Sequence, residues 1–304
     1  MTLSIVNTAV NWTSNTHDDV ISSFDSVNSP SWRVSNLVAG TLVNLGTGTN
    51  TSDVGYNPFT KRFGFIRNNF GTIAEISESD IVNSVASPTI IRLITITGLG
   101  GLEDTEGLSD VHPNLTEGGY EFWFSIENGG RQWGYNVSIS EADMFGTSAL
   151  SLGTRQRLQF APNAASGNDG LEGIDFDLAN QRLLGCQEGA VTNRTIYLAD
   201  RPTNRDTDYD ETDLEFTVTN PFAADSVVPG GSDLSSICFH PPTGHMLVLS
   251  DTGNIVYQYD FSGTLIDSLA ITGMFQPEGI ALHGDNLVVM GEVDECRYYA
   301  YVAP

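Results

Sequence analysis

Carboxylic acids recur in this chain at the same place in a repeated phrase, and their spacing could support metal chemistry. In each copy one acid opens an apolar run, a tight turn follows, and a second acid closes the next run. Ca²⁺ takes roughly 6 to 8 oxygen ligands, so converging carboxylates are candidate calcium ligands. The opening acids are Glu106, Glu172, Asp233 and Glu278, and the closing acids are Glu127, Glu188, Asp251 and Glu292. A weaker copy opens at Asp53 and closes at Asn68.

The copies start at positions 53, 106, 172, 233 and 278. Repeats of this length are typical of stacked or radially arranged units. A third run follows in every copy and a fourth in the first four copies, and these runs are rich in β-branched and aromatic residues. Four strands per copy predict an all-β fold, a five-bladed β-propeller of four-stranded antiparallel blades.

The fifth copy ends at Pro304 after only three strands, whereas residues 32–45 form a strand-like run that belongs to no copy. We predict that this N-terminal strand supplies the missing outer strand, closes the ring and removes two exposed sheet edges. Residues 32–304 would then form one propeller domain. Residues 1–31, rich in Ser, Asn, Thr and Asp, are predicted to be a polar leader or arm outside it.

Both acids of a copy should lie at the same end of a blade, because the first and second strands are antiparallel. Nine carboxylic acids and Asn68 would then converge at one mouth of the ring, where the acids cannot all stay ionised without a counter-charge. Either some are protonated, some pair with Arg or point away, or a cation is bound. Calcium is favoured over magnesium, which usually retains several waters and uses few carboxylates. Alternatively, the acids only accept backbone hydrogen bonds and lock adjacent blades.

The composition excludes several classes of function. The net charge is −25 and Lys61 is the single lysine, so nucleic acid and anionic membrane surfaces should be repelled. No apolar run reaches 18 residues, so no membrane insertion is expected. The first residues lack the basic flank and apolar stretch of a secretory signal, which leaves the localisation open. Cys186, Cys238 and Cys296 show no metal-type spacing and are predicted to be buried free thiols.

Two longer stretches carry a family resemblance. Glu-Gly-Ile, then an Asp-containing turn and a strand closed by Glu, occurs at 172–188 and at 278–292, and a related stretch runs from Asp233 to Asp251. Residues 50–304 thereby resemble the SdiA-regulated propeller family. The resemblance implies a five-bladed β-propeller with a bound calcium ion, in a family often exported behind a signal or anchor. Transferred position by position, it implies the metal ligands Glu106, Glu127, Glu172, Glu188, Asp233, Asp251, Glu278 and Glu292.

The sequence leaves three functions open. The chain lacks a Gly-x-Ser-x-Gly elbow, a His-Glu-x-x-His pair and a P-loop, which favours a non-enzymatic calcium-stabilised propeller that binds protein partners or serves assembly. Its Ser-, Thr-, Asn- and Gly-rich, lysine-poor composition would suit a structural component of a phage particle. The alternatives are a metal-dependent phosphoester hydrolase that uses the acidic mouth, and a glycan or ligand receptor that uses the opposite face.

Overall fold

The computed structural model describes residues 31–304 except 47–49, 69–70, 100–103, 116, 128, 164–168, 190–193, 223, 225–227 and 229–232. The predicted leader, residues 1–31, lies outside the described residues apart from Ser31. The described chain is all-β, as predicted, with two short α-helices and one 3-10 turn. Among the described residues, no helix has the length and apolar character that a membrane span requires.

The described strands form four sheets. The large sheet contains, in spatial order, β2 (Thr51–Asn57), β3 (Arg62–Arg67), β4 (Thr72–Ser77), β5 (Ile90–Thr97), β10 (Leu150–Gln159), β9 (Trp133–Ile139), β8 (Tyr120–Ile126) and β6 (Thr105–Leu108), with β7 (His112–Pro113) beside β8. The β11 sheet contains β11 (Leu171–Asp177), β12 (Arg182–Gln187), β13 (Thr195–Asp200) and β14 (Val218–Thr219). The β15 sheet contains β15 (Ser236–His240), β16 (His245–Ser250), β17 (Ile255–Tyr259) and β18 (Leu265–Ala270). The β19 sheet contains β19 (Pro277–His283), β20 (Asn286–Gly291), β21 (Glu295–Tyr301) and β1 (Leu37–Asn44).

The large sheet consists of two antiparallel four-strand halves, the β2 half (β2 to β5) and the β6 half (β6, β8, β9 and β10). They are joined because β5 and β10 pair in parallel, with Ile94 opposite Leu150 and Thr97 opposite Gly153. The other three sheets are antiparallel throughout. The prediction of four-stranded antiparallel sheets is therefore confirmed.

The N-terminal strand pairs with the last strand of the chain, as predicted. Leu37 lies opposite Tyr301 and Asn44 opposite Glu295 in an antiparallel ladder. Trp32, in the segment before β1, is fully buried, and its ring stacks on His240 with centroids 3.9 Å apart. The Trp32 indole N–H also donates to the Asp285 carbonyl at 3.0 Å. The segment before β1 therefore joins the β15 sheet to the β19 sheet.

The hydrophobic core lies between neighbouring sheets. Val54 and Phe63 of the β2 half pack with Val288 of the β19 sheet, and Leu184 of the β11 sheet packs with Val248 of the β15 sheet. Burial of one such side chain stabilises the fold by about 1.5–3 kcal/mol. Apolar contact between sheets, added to hydrogen bonding within them, therefore holds the sheets together.

The first strands of the sheets and of the two halves contact one another in a closed order. Val111, just after β6, donates to the Tyr56 carbonyl of β2 at 2.9 Å, and Ser125 of β8 donates to the Glu172 carbonyl of β11 at 2.8 Å. Phe239 of β15 donates to Asp175 of β11 at 2.8 Å. The Ser235 hydroxyl, just before β15, donates to the Pro277 carbonyl of β19, and the Ile280 N–H of β19 donates to Asp53 of β2. These strands surround a common line, the axis.

The two α-helices are α1 (Glu78–Val82) and α2 (Glu141–Met144). They follow the third strand of the β2 half and of the β6 half, β4 and β9, and were not predicted. Each begins at a serine N-cap: the Ser77 hydroxyl accepts from the Asp80 N–H, and the Ser140 hydroxyl accepts from the Asp143 N–H. Such caps satisfy amide groups that the first helical turn leaves without partners. Helices this short lie outside the range in which apolar periodicity is a useful signal.

Candidate metal centre

A β-bulge at the start of the first strands positions the opening glutamates. Leu171 pairs with Gln187 and Gly173 with Cys186, so Glu172 is the extra residue. The register shifts in the same way around Glu278 in β19, and between Thr105 and Leu108 in β6, a stretch that contains Glu106. A bulge leaves one residue outside the ladder and re-aims its side chain. The three glutamates therefore project from equivalent places.

The closing acids follow the strands that pair with the first strands. Glu127, Glu188, Asp251 and Glu292 come directly after β8, β12, β16 and β20. The backbone N–H of Glu127 also donates to the Asp104 carbonyl at 3.1 Å, which brings Asp104 beside it. Opening and closing acids thus meet at one end of the axis, as the antiparallel pairing predicts.

Asp53 does not occupy the position of the bulge glutamates, in contrast to its predicted alignment. It pairs with Ile66, and Ser52 is the extra residue of the β2 bulge. In the β15 sheet, Ser236 pairs with Leu249, two residues before the closing acid Asp251, so Ser235 takes the glutamate position. Asp233 lies two residues further back in the chain. Asp53 and Ser236 therefore stand where the other first strands carry Gly107, Gly173 and Gly279.

Two groups of carboxyls have the spacing of metal ligands. Oxygen atoms of Glu127, Glu172 and Glu188 all lie within 4.8 Å of one another, and so do oxygen atoms of Asp104, Glu106 and Glu127. Oxygen ligands lie 2.3–2.6 Å from Ca²⁺, so two ligands of one ion are at most about 5 Å apart. Within the described residues these groups include Glu106, Glu127, Glu172 and Glu188 of the predicted ligands, but not Asp233, Asp251, Glu278 or Glu292. Asp104 was not predicted.

Burial and mutual repulsion perturb these acids strongly. Burial, together with repulsion from the nearby Asp104, raises the pKa of Glu127 to about 7. Burial raises the pKa of Glu188 to about 8, with repulsion from Glu127, Asp233 and Asp251. The pKa values of Glu106 and Glu172 are raised well above their ordinary value, again first by burial and then by neighbouring acids. The cluster therefore favours bound protons or a bound cation.

The acids on the other side of the mouth act on the same cluster from a greater distance. Burial, together with repulsion from Asp251, Glu292 and Glu188, raises the pKa of Glu278 to about 8. Burial likewise raises the pKa of Asp251 and of Asp233, although Arg194 opposes the shift at Asp233. Glu292 accepts a hydrogen bond from the Asn50 amide at 3.1 Å. These acids strengthen the negative field at the groups that contain Glu127.

The donor set fits a hard cation. All side chains of the two groups offer carboxylate oxygens, which suit Ca²⁺, Mg²⁺ or Mn²⁺ better than softer metals. Glu127 is only 9% exposed, and its Oε1 is buried without a hydrogen-bond partner among the described residues. A buried polar atom of this kind costs about 1–3 kcal/mol unless something pairs with it. An ion between Glu127, Glu172 and Glu188 would satisfy it.

Asp53 lies one position along its strand from the bulge that Glu172 occupies in β11, and it contacts other first strands. Its Oδ1 accepts from the Ile280 N–H and the Ser236 hydroxyl, both at 3.1 Å, and its Oδ2 accepts from the Leu108 N–H at 2.8 Å. Gly279 is required beside it, since a Cβ atom there would lie 2.5 Å from Asp53 Oδ1. Burial raises the pKa of Asp53 well above its ordinary value, while these hydrogen bonds oppose the shift. Asp53 thus joins three other first strands through one carboxyl group.

Comparisons with known proteins agree with this architecture. The sequence model of the SdiA-regulated family matches residues 38–300. A solved structure of a luciferin-regenerating enzyme superimposes with a TM-score of 0.50 at 11% identity, covering 85% of this chain and 94% of that chain. A search of curated protein sequences found no significant match.

Two looser structural similarities are to larger chains. Raptor from Chaetomium thermophilum gives a TM-score of 0.44 at 12% identity, covering 91% of this chain and 22% of that chain. The β-propeller domain of Cps50 (Swd1) from Myceliophteria thermophila gives 0.40 at 11% identity, covering 84% of this chain and 65% of that chain.

Proposed function

Because this chain belongs to the SdiA-regulated family, we propose that it is a five-bladed β-propeller whose acidic mouth holds a calcium ion. We propose further that it serves binding or assembly rather than catalysis. The observation that carries the proposal is the group Glu127, Glu172 and Glu188, which comes from two different parts of the ring. An ion held by all three would tie the β6 half to the β11 sheet.

The blade count follows if each half of the large sheet is counted as one blade. The β2 half and the β6 half each have four antiparallel strands, like the β11, β15 and β19 sheets. Their first strands contact one another in a closed order, and each hydrophobic cluster lies between neighbours in that order. The parallel pairing of β5 with β10 is then a contact between the outer edges of two blades.

Calcium is favoured over magnesium by the number and flexibility of the ligands. Five carboxyl groups surround the two overlapping positions, and Glu127 belongs to both. Mg²⁺ demands near-ideal octahedral geometry and keeps several waters, whereas Ca²⁺ accepts many carboxylates at irregular angles. The ion would hold the carboxylates ionised and offset the burial and the mutual repulsion that raise their pKa values.

A binding role is supported by the uniform chemistry of the two groups. Within the described residues they contain only carboxyl groups, with no histidine or cysteine ligand atom among them, so neither group pairs a nucleophile with a separate base. The partner we propose is protein, and the composition supports assembly in a phage particle as its setting. A strongly negative chain would favour a basic surface on that partner.

Calcium titration tests the proposal. A free calcium concentration 100 times the dissociation constant should stabilise the fold by about 2.7 kcal/mol, which is measured as a rise in melting temperature. Glu172→Gln should raise the calcium concentration that gives half of this rise at least tenfold. Glu141→Gln, an exposed charge-matched control in α2, should leave that concentration unchanged. If the melting temperature of the wild-type protein changes with neither calcium nor chelator, the metal proposal is wrong. Phosphoester turnover that is lost with chelator and with Glu172→Gln would replace the binding role by hydrolysis.

A further inference from the structure

The face of β8 that packs against the β11 sheet carries a row of buried polar side chains. Glu121 and Trp123 share this face, because side chains two residues apart point to the same side of a strand. His112 of β7 lies opposite Glu121. Asn136 of β9 lies opposite Trp123, and Gln156 of β10 lies opposite Asn136. None of these five residues, the polar row, is more than 5% exposed.

The carboxylate of the polar row has its partners within the protein. Arg201, directly after β13, and Arg205 both form salt bridges with Glu121, the second at 3.0 Å. Asn136 Nδ2 also donates to Glu121, at 3.2 Å. The β11 sheet and the segment after it therefore supply two guanidinium groups that share one buried carboxylate with the β6 half.

Three groups with unused hydrogen-bonding atoms surround the Phe176 ring of β11. The guanidinium carbon of Arg201 lies 5.1 Å from the centroid of that ring. The centroids of the His112 and Trp123 rings lie 5.3 and 6.4 Å from it. Among the described residues, Arg201 Nε, Trp123 Nε1 and both nitrogens of His112 are buried without a hydrogen-bond partner. Burial, together with repulsion from Arg201, lowers the pKa of His112 to about 3, so its neutral ring offers one donor and one acceptor.

Two amide oxygens of the polar row add further acceptors. Asn136 Oδ1 and Gln156 Oε1 are buried, and in the described part of the chain neither has a hydrogen-bond partner. The amide orientations are fixed, because the nitrogen of each amide is already a donor. Asn136 Nδ2 donates to the carboxylate, and Gln156 Nε2 donates to the carbonyls of Asn204 and Thr207 at 2.9 and 3.0 Å. The interface therefore contains both donors and acceptors that the protein does not pair.

We propose that bound water molecules lie between the polar row and the β11 sheet, where they bridge the nitrogens of His112, Trp123 and Arg201 to the amide oxygens. Water donates and accepts, and a buried water typically makes about three hydrogen bonds to groups of this kind. An anion would face the carboxylate and the amide oxygens, and a metal ion would face the guanidinium groups. The mixed set therefore selects a neutral ligand. This site shares no residue with the groups at the mouth.

A high-resolution crystal structure of the full chain tests the proposal directly. We expect an ordered water about 2.7–3.2 Å from a nitrogen of His112, and another at that distance from Asn136 Oδ1. Well-ordered side chains without any density beside these atoms would overturn the proposal. Density too large for water would also overturn it, since the ligand would then belong to another class.

The variant His112→Phe separates a hydrated interface from a dry one, because it keeps a ring and removes both nitrogens. In a dry interface the change would remove two unsatisfied buried atoms, and the melting temperature should rise. With water bound, the melting temperature should not rise, and crystals of the variant should lose at least one ordered water.

His283→Phe is the matched control. Its Nδ1 lies 3.0 Å from the Tyr298 hydroxyl, so this change removes a contact within the protein and should leave the waters of the polar row in place. A higher melting temperature for His112→Phe, with no loss of ordered water, would show that the interface is dry. If His112→Phe does not fold, the density in the wild-type crystals decides.

Discussion

Replacing Asp53 by alanine should destabilise the whole ring, because one carboxyl group joins four first strands. The change removes the acceptor for the Leu108 N–H at 2.8 Å and for the Ser236 hydroxyl at 3.1 Å. It also removes one of two acceptors of the Ile280 N–H, which lies 3.1 Å from Asp53 Oδ1 and 3.3 Å from the Ser236 hydroxyl oxygen. Each buried donor left without a partner costs about 1–3 kcal/mol. Part of this is recovered, since water can enter the vacated space and the desolvation cost of the carboxyl disappears. We expect a net loss of about 3 kcal/mol in the free energy of unfolding.

The assay is urea denaturation followed by tryptophan fluorescence, in excess chelator so that ions at the mouth do not contribute. The loss should appear as a lower midpoint with an unchanged slope, since the surface exposed on unfolding stays the same. Asp53→Asn is the matched control: its carbonyl oxygen can still accept from Ile280 and Ser236, so it should lose only about 1 kcal/mol. An alanine variant within about 0.5 kcal/mol of wild type, the range of ordinary surface substitutions, would refute the role of Asp53 as a joint between strands.

Two further predictions concern the mouth and the N-terminal segment. In chelator, the melting temperature should fall as the pH rises from about 5 to 8, because raised pKa values of about 7 for Glu127 and about 8 for Glu188 mean that the folded chain holds more protons than the unfolded chain. A melting temperature that rises over this interval would contradict the repulsion at the mouth. Trp32→Ala should cost about 3–5 kcal/mol, because it empties a fully buried site stacked on His240. Trp32→Phe, which keeps a ring there, should cost clearly less, and equal losses would show that stacking is not the cause.

The convergence of the acids could be predicted from sequence because it depends only on antiparallel pairing. When a strand, a tight turn and a second strand form a hairpin, the first residue of one strand and the last of the other must meet. This is why Glu172 and Glu188 lie in one ligand group. The pairing of residues 37–44 with the last strand was predictable for a similar reason, since a fifth copy with three strands leaves one edge to be filled.

The role of Asp53 could not be predicted, because the position of a bulge is not visible in the sequence. Ser52-Asp53 and Glu172-Gly173 occupy equivalent pairs of positions, but alignment by charge places Asp53 on the glutamate. Asp104 was missed because it lies outside the repeated phrase. Its carbonyl accepts from the Glu127 N–H, and its carboxyl lies in one ligand group with Glu106 and Glu127.

The fourth run of the third copy spans residues 214–218, but only Val218–Thr219 pairs with β13. The residues before it pack elsewhere. Asp208 accepts a hydrogen bond from the Arg157 N–H at 2.8 Å, and Tyr209 exchanges backbone hydrogen bonds with β10. Leu214 is left 98% exposed. A β-rich composition cannot distinguish a strand in its own sheet from a segment held by a neighbouring one, because both are extended.

The axis joins the first strands by two chemically different means at successive levels. At the level of Asp53, one buried carboxyl accepts hydrogen bonds from several strands, and this joint forms whenever the chain folds. At the mouth, Glu127, Glu172 and Glu188 come from neighbouring parts of the ring but repel one another, so they join nothing until a proton or a cation lies between them. A cation that binds there adds its binding free energy to folding, because the unfolded chain does not hold these carboxylates together. The acids that weaken the ion-free fold are therefore the same groups that would make its stability respond to calcium.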